Sequence, residues 1–338
     1  MTELKPDSER IRQFLRGLEQ QDWVKRGERR WWPRYVFHYT DIKNTIEILK
    51  AGQMLSRKHL EEAGGLLTSS GSTSILAGTD TFIKDCVRLY FRPRTPTQYW
   101  AEGIRSKESL RNSKYPDAHC PLPIFLLLDS AEVLTRADCW FSDGGLNSYT
   151  AQRLYTAVEL ENLPWQKVYH NTWYDPHSAA ESDIAFRRNA EVVVHKRLDL
   201  KALRSIFCRS EAERETLLYL LPQRLRKKYQ NKIFSTARVN LYFREHTFIQ
   251  SVRLSSNSAT FFFSPDTKSS GPFSLRAHVQ IEPSKTVLQA EIENFELPKS
   301  FGTRWDFPSP VSEYNLSLTL DGHQAYTNRF IEEDEIPF

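Results

Sequence analysis

Near the N-terminus the apolar positions repeat at helical spacing. In DSERIRQFLRGLEQQDWV (7–24), Ile11, Phe14, Leu15, Leu18 and Trp23 fall on one side, and Asp7 or Ser8 can cap the helix. RYVFHYT (34–40) reads as a short strand, and DIKNTIEILKAG (41–52) as a helix between an Asp41 cap and a Gly52 stop. The glycine- and serine-rich stretch 62–80 reads as a mobile loop. CVRLYF (86–91) reads as a strand, followed by a proline-broken loop, RPRTPTQYW (92–100). PIFLLLDSAEVL (123–134) is an apolar strand turning into a helix, SDGGLNS (142–148) a turn, QRLYTAVEL (152–160) a short helix and 169–183 a polar loop. AEVVVHKRL (190–198) predicts a buried strand, DLKALRSIF (199–207) a helix or turn, and EAERETLLYLLPQRLRKKY (211–229) a helix interrupted at Pro222.

The period changes after residue 234. ARVNLYF, FIQSVRLSS, ATFFFS, FSLRAHVQIE, TVLQAEIENF and YNLSLTL alternate apolar and polar residues at short spacing, the pattern of an antiparallel β-sandwich. A chain of 338 residues suits two domains, expected as 1–233 and 234–338 with the boundary near 230–236.

Composition adds little against this picture. Hydrophobic residues are 40%, so a real core can form, and no window holds the ~18 apolar residues of a membrane helix. MTELKPDSER is not a targeting segment, and a cytoplasmic location is expected. Cys86, Cys120, Cys139 and Cys208 are scattered with no CxxC pair, so neither a zinc site nor a disulfide framework is expected. The net charge of +4 is mild, but KRGERRWWPR (25–34) and QRLRKKYQNK (223–232) are dense in cations and aromatics. Such segments suit a phosphate backbone with stackable bases, or are simply solvated surface. The C-terminal IEEDEIPF is acidic, and the chain holds no Walker loop, GxGxxG, HExxH or GxSxG.

In RRNAEVVVHK (187–196) a carboxylate stands at the mouth of three valines. Burying it unpaired is expensive. Glu191 is therefore either a strand-mouth residue bridged to Arg187 or Arg188, or a functional group held on a rigid strand. His38 in FHYT, the YFRPR strand end (90–94) and Asp143 in SDGG each have an ordinary structural reading when taken singly.

Taken in order they say more. FHYT before a capped helix, then YFRPR, FLLLD (125–129), FSDGG (141–145) and RRNAEVVVH resemble the DarT family of NAD-dependent ADP-ribosyltransferase toxins over roughly residues 34–215. The resemblance implies an α+β, ADP-ribosyltransferase-like mixed fold, with the β-sandwich as an accessory domain. It implies NAD as co-substrate and single-stranded DNA as acceptor. It also implies a macrodomain antitoxin partner of the DarG type and a place in toxin–antitoxin systems and phage defence. Glu191 becomes the catalytic glutamate. His38, Tyr39, Thr40 and Asn44, with Tyr90, Arg92 and Arg94 of the YFxPR segment, fall on the NAD side. Arg88, Thr97, Tyr99, Asp143, Arg187 and Arg188 are the candidates for nucleic acid or base, and residues 145–189 form the substrate-recognition region.

Three positions depart from the family pattern. The segment STSILAGTDTFIKD (72–85) lacks the family's arginine, for which Arg88 or Arg57 can substitute. Gly145 replaces a histidine, and Thr97 replaces a methionine. All three lie in the base-reading half, so guanine is favoured over thymine. The alternatives are an RNA-directed or protein-directed transferase, or a non-catalytic module binding NAD or nucleic acid. The second domain could also dock a partner.

The chemistry fits these residue types. Breaking the ribose–nicotinamide bond builds positive charge on the ribose, which a fixed carboxylate stabilises. It can also act as general base toward the acceptor nitrogen. The arginine fork of Arg88, Arg92 or Arg94 suits a pyrophosphate, and Tyr90, Phe91 and Tyr99 can stack on nicotinamide or a base.

Overall fold

The computed structural model describes residues 3–65, 68–69, 71–235, 239–265, 267–269, 271–298 and 302–332. The chain forms two compact units that interleave along the sequence. The first comprises 1–100, 124–206 and 239–242; the second comprises 101–123, 207–238 and 243–338.

The first unit is mixed α/β. Its strands are β1 (Tyr35–Asp41), β2 (Gln53–Leu55), β3 (Cys86–Tyr90), β4 (Pro123–Asp129), β5 (Cys139–Ser142), β6 (Arg153–Leu154), β7 (Glu191–His195) and β8 (Arg197–Asp199), with the start of β9 (Leu203–Cys208). The main sheet runs in the order β9-β4-β1-β3-β7-β5-β6, and β2 pairs with β8 in a small ladder. Strand β7 is central and buried on both faces: Val192 and Val194 are 0% exposed on one, and Glu191 and Val193 are 1% and 2% exposed on the other. β-branched residues suit such a position, and each buried valine contributes ~1.5 kcal/mol or more.

Antiparallel register builds one row across this sheet. Phe37 lies opposite Tyr90, Tyr90 opposite Glu191, and Ser142 opposite Arg153. Phe141 faces Val192, which sets Ser142 beside Glu191. Directly opposed residues point to the same face, so Tyr90, Glu191, Ser142 and Arg153 share one side.

The helices of this unit follow local signals. Ser8–Gln20 buries Ile11, Leu15 and Leu18. Ile42–Ala51 begins at Asp41, whose carboxylate accepts from the Lys43 N–H, and ends at Gly52 in the left-handed region, φ +68°.

Several local expectations are corrected. The stretch after YFRPR is not all loop, because Pro96–Ala101 is a helix. The fixed φ of Pro96 suits a first helical position, and Thr95 Oγ1 accepts from the Gln98 N–H at 3.2 Å. The described part of 62–80 contains a helix, Thr73–Ala77, while residues 66, 67 and 70 lie outside the described residues. Residues 152–160 divide into β6 and a helix, Ala157–Glu161, started by a Thr156/Glu159 capping box. Residues 199–207 are a 3-10 turn, Leu200–Ala202, leading into β9 rather than a helix. Ile206 and Phe207, both β-prone, lie in the stretch after that turn and favour the extended chain. Of the acidic C-terminus, residues 333–338 lie outside the described residues.

In the second unit, β10 (Ile233–Ser235) precedes seven longer strands: β11 (Ile249–Leu254), β12 (Ser258–Phe263), β13 (Phe273–Ile281), β14 (Val287–Phe295), β15 (Thr303–Asp306), β16 (Glu313–Leu320) and β17 (His323–Ile331). They form two antiparallel sheets, β11-β12-β15 and β14-β13-β16-β17. One core joins them, including Phe261, Val279, Tyr314, Leu318 and Tyr326. Alternation along β16, with Tyr314, Leu316, Leu318 and Leu320 inward, is the pattern that marked this region in the sequence.

Earlier segments join this sandwich through polar contacts that no periodicity announces. Glu102 accepts from the Phe243 and Arg244 N–H groups at 3.0 and 2.8 Å. Ser210 Oγ donates to Ile249 O at 2.6 Å, and Thr216 Oγ1 accepts from the Thr327 N–H at 3.1 Å. The second unit therefore includes chain well before residue 234.

Candidate active site

Glu191 opens β7 and is 1% exposed. Its partner is Arg88 of β3, not Arg187 or Arg188. The Arg88 Nε donates to Oε2 at 2.6 Å and Nη2 to Oε1 at 2.7 Å. Oε1 also accepts from the Leu146 N–H at 3.0 Å. Arg88 and Glu191 are diagonal neighbours on one face, since Arg88 opposes Val193 and Tyr90 opposes Glu191. Burial works against the Arg88 charge, but the Glu191 carboxylate overrides it and holds the guanidinium above its ordinary pKa.

The FSDGG turn closes around the carboxylate. Ser142, 0% exposed, accepts the Glu191 N–H at 3.0 Å and donates to Gly144 O at 2.6 Å. Sequence reasoning passed over this serine; its position inside FSDGG was the available signal. Asp143 accepts from Arg187 Nη1 at 2.5 Å and from the Gln152 N–H at 2.9 Å. Arg187 also donates to Asp183 at 3.0 Å. A Cβ on Gly144 would meet Phe186 Cζ at 2.1 Å, and one on Gly145 would meet Asn147 Oδ1 at 2.8 Å. A side chain at position 145 would require the Asn147 amide to move and would press on Asn189 Cβ at 3.1 Å.

Tyr90, directly opposite Glu191, has its pKa raised to about 12 by burial and then by the carboxylate's charge. Its hydroxyl remains a neutral hydrogen-bonding group. Cys86, on the same face, is likewise raised to about 12, chiefly by burial, and is no nucleophile at neutral pH.

On the β1 side, His38 Nδ1 lies 3.0 Å from Arg88 O. A carbonyl only accepts, so Nδ1 carries the proton. Burial lowers the His38 pKa despite this bond, so the ring is neutral and Nε2 is an acceptor. Thr40 is buried, and Asn44 Nδ2 donates to Thr40 Oγ1 at 3.2 Å and to Thr68 O at 2.8 Å. A neutral imidazole acceptor and a threonine, one residue apart on a fixed strand, suit ribose hydroxyls. The residues present therefore fit a dinucleotide on this side. Tyr39, between them, packs its ring on Phe125 with centroids 5.4 Å apart.

The arginines of YFRPR are placed differently from the expectation of a pyrophosphate clamp. Arg92 is 2% exposed. It donates to Pro93 O at 2.9 Å and to His170 O, and lies over the Trp32 ring at 4.9 Å. Burial, then neighbouring guanidinium groups, push its pKa well below the usual value. Arg94 has φ +53° and pairs with Glu28. Arg188 donates to Thr172 O at 2.5 Å and contacts His170 Nδ1 at 2.7 Å. Thr97, exposed on the Pro96–Ala101 helix, donates to Asn189 Oδ1 at 3.2 Å. Tyr99, on the same helix, meets Trp100 edge-on at 5.3 Å. Arg57, the other stand-in considered, bonds Ser69 and Glu61 instead.

Among the described residues, no group of three or more His, Cys, Asp or Glu could hold a metal ion, and no helix is long and apolar enough to cross a membrane.

Residues 37–243 match the family model described as "ssDNA thymidine ADP-ribosyltransferase, DarT". The sequence matches no curated protein. Among solved structures, the chain is similar to Thermus sp. 2.9 DarT in complex with ADP-ribosylated ssDNA, at 20% identity and TM-score 0.48, covering 62% of this chain and 97% of that one. The same protein in complex with NAD+ gives 18% identity and TM-score 0.44, covering 62% and 98%. Thermosipho africanus DarTG in complex with ADP-ribose gives 18% and 0.46, covering 65% of this chain and 53% of that one. With the family model spanning more than half of its length, the chain belongs to the DarT family and is an NAD-dependent ADP-ribosyltransferase that acts on single-stranded DNA.

Proposed function

We propose that this enzyme transfers ADP-ribose to guanine in single-stranded DNA, with Glu191 as its catalytic residue. The observation that carries the catalytic reading is the Glu191 carboxylate, 1% exposed yet held by three N–H donors on the edge of a rigid strand. NAD supplies the ADP-ribosyl group, with nicotinamide as the leaving group. Glu191 stabilises the positive charge that grows on the ribose, and its fixed geometry avoids reorganisation during the reaction. Arg88 and Leu146 orient the carboxylate. His38 Nε2 and Thr40 hold ribose hydroxyls. As charge moves to nicotinamide, Glu191 is also placed to accept the proton of the attacking base nitrogen.

The preference for a purine rests on the base-reading half. Gly145 carries no side chain where bulk would narrow the site, and Asn189 and Thr97 offer a linked amide and hydroxyl beside Tyr90. An amide and a hydroxyl match the adjacent donor and acceptor edge of guanine better than the methylated edge of thymine. The strand must present an unpaired base, as expected for an enzyme whose reacting base cannot lie in a duplex. The second unit, with the two antiparallel sheets, serves as an accessory domain to the transferase. A macrodomain antitoxin of the DarG type restrains the activity in the cytoplasm.

Mass spectrometry of oligonucleotides that each present one base type in a fixed context tests this. A gain of one ADP-ribose on the guanine oligonucleotide, absent with Glu191→Ala, supports the reading. Modification of the thymine oligonucleotide alone overturns the base assignment while leaving the catalytic one.

A further inference from the structure

Arg153 stands in the row that crosses the sheet through Glu191. It opposes Ser142 in register, and Ser142 accepts the Glu191 N–H. Two strand spacings separate Arg153 from Glu191, about 10 Å. Both side chains rise from the same face of the sheet.

Other arginines around the site are engaged by the protein. Arg88 is fixed on Glu191, Arg92 on backbone carbonyls, Arg94 on Glu28, and Arg187 on Asp143 and Asp183. Arg153 differs. Its side chain is 46% exposed, and its one acidic partner among the described residues, Asp80 at 3.1 Å, is 54% exposed. A solvated pair of this kind is weak, so a phosphate can displace Asp80 at little cost. The guanidinium also lies over the Phe82 ring, 4.9 Å from its centroid. That stacking fixes the plane and leaves the N–H edge for a bidentate contact.

The strand order separates donor from acceptor. His38 and Thr40 sit on β1, two strands from β7 on one side, whereas Arg153 sits on β6, two strands from β7 on the other. On β1 it is Phe37 that stands in the Glu191 row, so His38 and Thr40 alternate to the other face, while Arg153 stands on the Glu191 face beside the β5–β6 side. We infer that Arg153 binds a backbone phosphate of the acceptor strand, next to the nucleotide whose base meets Glu191, and so fixes where along the strand the modification falls. The inference rests on the reading of Glu191 as the catalytic residue and of β1 as the NAD side.

The test is steady-state transfer to a short single-stranded DNA oligonucleotide at 50 and 200 mM salt, for the wild type, Arg153→Ala, Arg153→Lys and Asp80→Asn. Loss of one phosphate contact should raise the oligonucleotide KM of Arg153→Ala about tenfold at low salt and lower the slope of log KM against log salt by about 0.7. The KM for NAD should stay within twofold. Arg153→Lys should keep the slope and recover part of the affinity. Asp80→Asn, with the competing carboxylate gone, should lower the oligonucleotide KM.

A rise in the KM for NAD instead would assign Arg153 to the donor pyrophosphate and overturn the inference, as would unchanged KM values in both arms. If Arg153→Ala loses its thermal transition, the slopes of Arg153→Lys and Asp80→Asn decide. Absence of transfer by the wild type while it binds the oligonucleotide would sink the catalytic reading, and the Arg153 contact would then be read from the salt dependence of binding. Absence of both binding and transfer sinks both.

Discussion

Arg88 and Glu191 form a two-pronged ion pair at 2.6 and 2.7 Å across adjacent antiparallel strands, one nitrogen to each carboxylate oxygen. Glu191 is 1% exposed on its side chain and Arg88 27%. The pair resolves the cost of placing a carboxylate at the head of a valine strand: the charge is buried, but both oxygens are satisfied. It also fixes the carboxylate in one orientation, which a single-point lysine contact would not do.

Replacing Glu191 should therefore affect rate and stability through different routes. Glu191→Gln is expected to lower the transfer rate by about 10²- to 10³-fold, the usual loss when a preorganised electrostatic group is removed. Glu191→Ala additionally strands the Arg88 guanidinium. Its cost should be about 1–3 kcal/mol, below that of a fully buried broken pair because Arg88 keeps part of its surface in water. Single-turnover transfer and thermal melting of both variants separate the two effects. A glutamine variant with wild-type rate would remove Glu191 from the chemistry.

The turn behind Glu191 is a second point of control. Ser142→Ala removes the acceptor for a buried N–H and the donor to Gly144 O, at a cost of about 1–3 kcal/mol. Gly144→Ala forces a Cβ to within 2.1 Å of Phe186 Cζ. Phe186 directly precedes Arg187, which holds Asp143. Both variants should lower kcat more than they raise the KM for NAD, because they disturb the carboxylate's support and not the β1 side. A selective rise in the KM for NAD would contradict this.

How legible this was in the sequence depends on distance along the chain. The Asp41-capped helix, the valine strand and the alternating strands after 234 follow from local periodicity and capping, and all are present. Glu191 stood out because it is the one charge in AEVVV. Its partner did not. Arg187 and Arg188 are near in sequence, but Arg187 folds back onto Asp183 and Asp143, while Arg88 arrives from a strand 103 residues away. The interleaving of the two units was equally hidden, because it depends on single polar anchors such as Glu102 and Ser210. YFRPR shows the converse: a conspicuous string whose Arg92 turns inward to backbone carbonyls.

Acid should inhibit the enzyme through His38. Burial lowers its pKa from the usual 6.5, so the neutral ring with Nε2 as acceptor persists at neutral pH. In the unfolded chain the group binds its proton nearer 6.5, so between the folded and unfolded values the unfolded state holds more protons. The stability from neutral His38 is therefore present above 6.5 and is lost as pH falls toward the folded value. Transfer should show an acid limb with its midpoint below 6.5, and this limb should vanish in His38→Gln. A limb at the same pH in His38→Gln would assign it to another group.

The second unit holds an ion pair more deeply buried than Arg88–Glu191. Arg209 and Glu213, four residues apart, are both 0% exposed on their side chains. Arg209 Nε donates to Glu213 Oε1 at 3.0 Å, and the Arg209 N–H donates to Oε2 at 2.8 Å, closing the entry to the Glu211–Leu220 helix. Burial raises the Glu213 pKa, with Arg209 pulling it back. Removing one partner leaves the other charged and dry, which costs about 3–5 kcal/mol, whereas replacing both by apolar groups of similar volume is often neutral or stabilising. Glu213→Leu should therefore unfold at markedly lower denaturant, and Arg209→Met with Glu213→Leu should recover much of the loss. Because Arg209 also donates to Pro121 O at 3.0 Å, the recovery should be incomplete. Equal destabilisation by the single and double variants in urea titrations would show that the pair contributes through its backbone contacts and not through its charges.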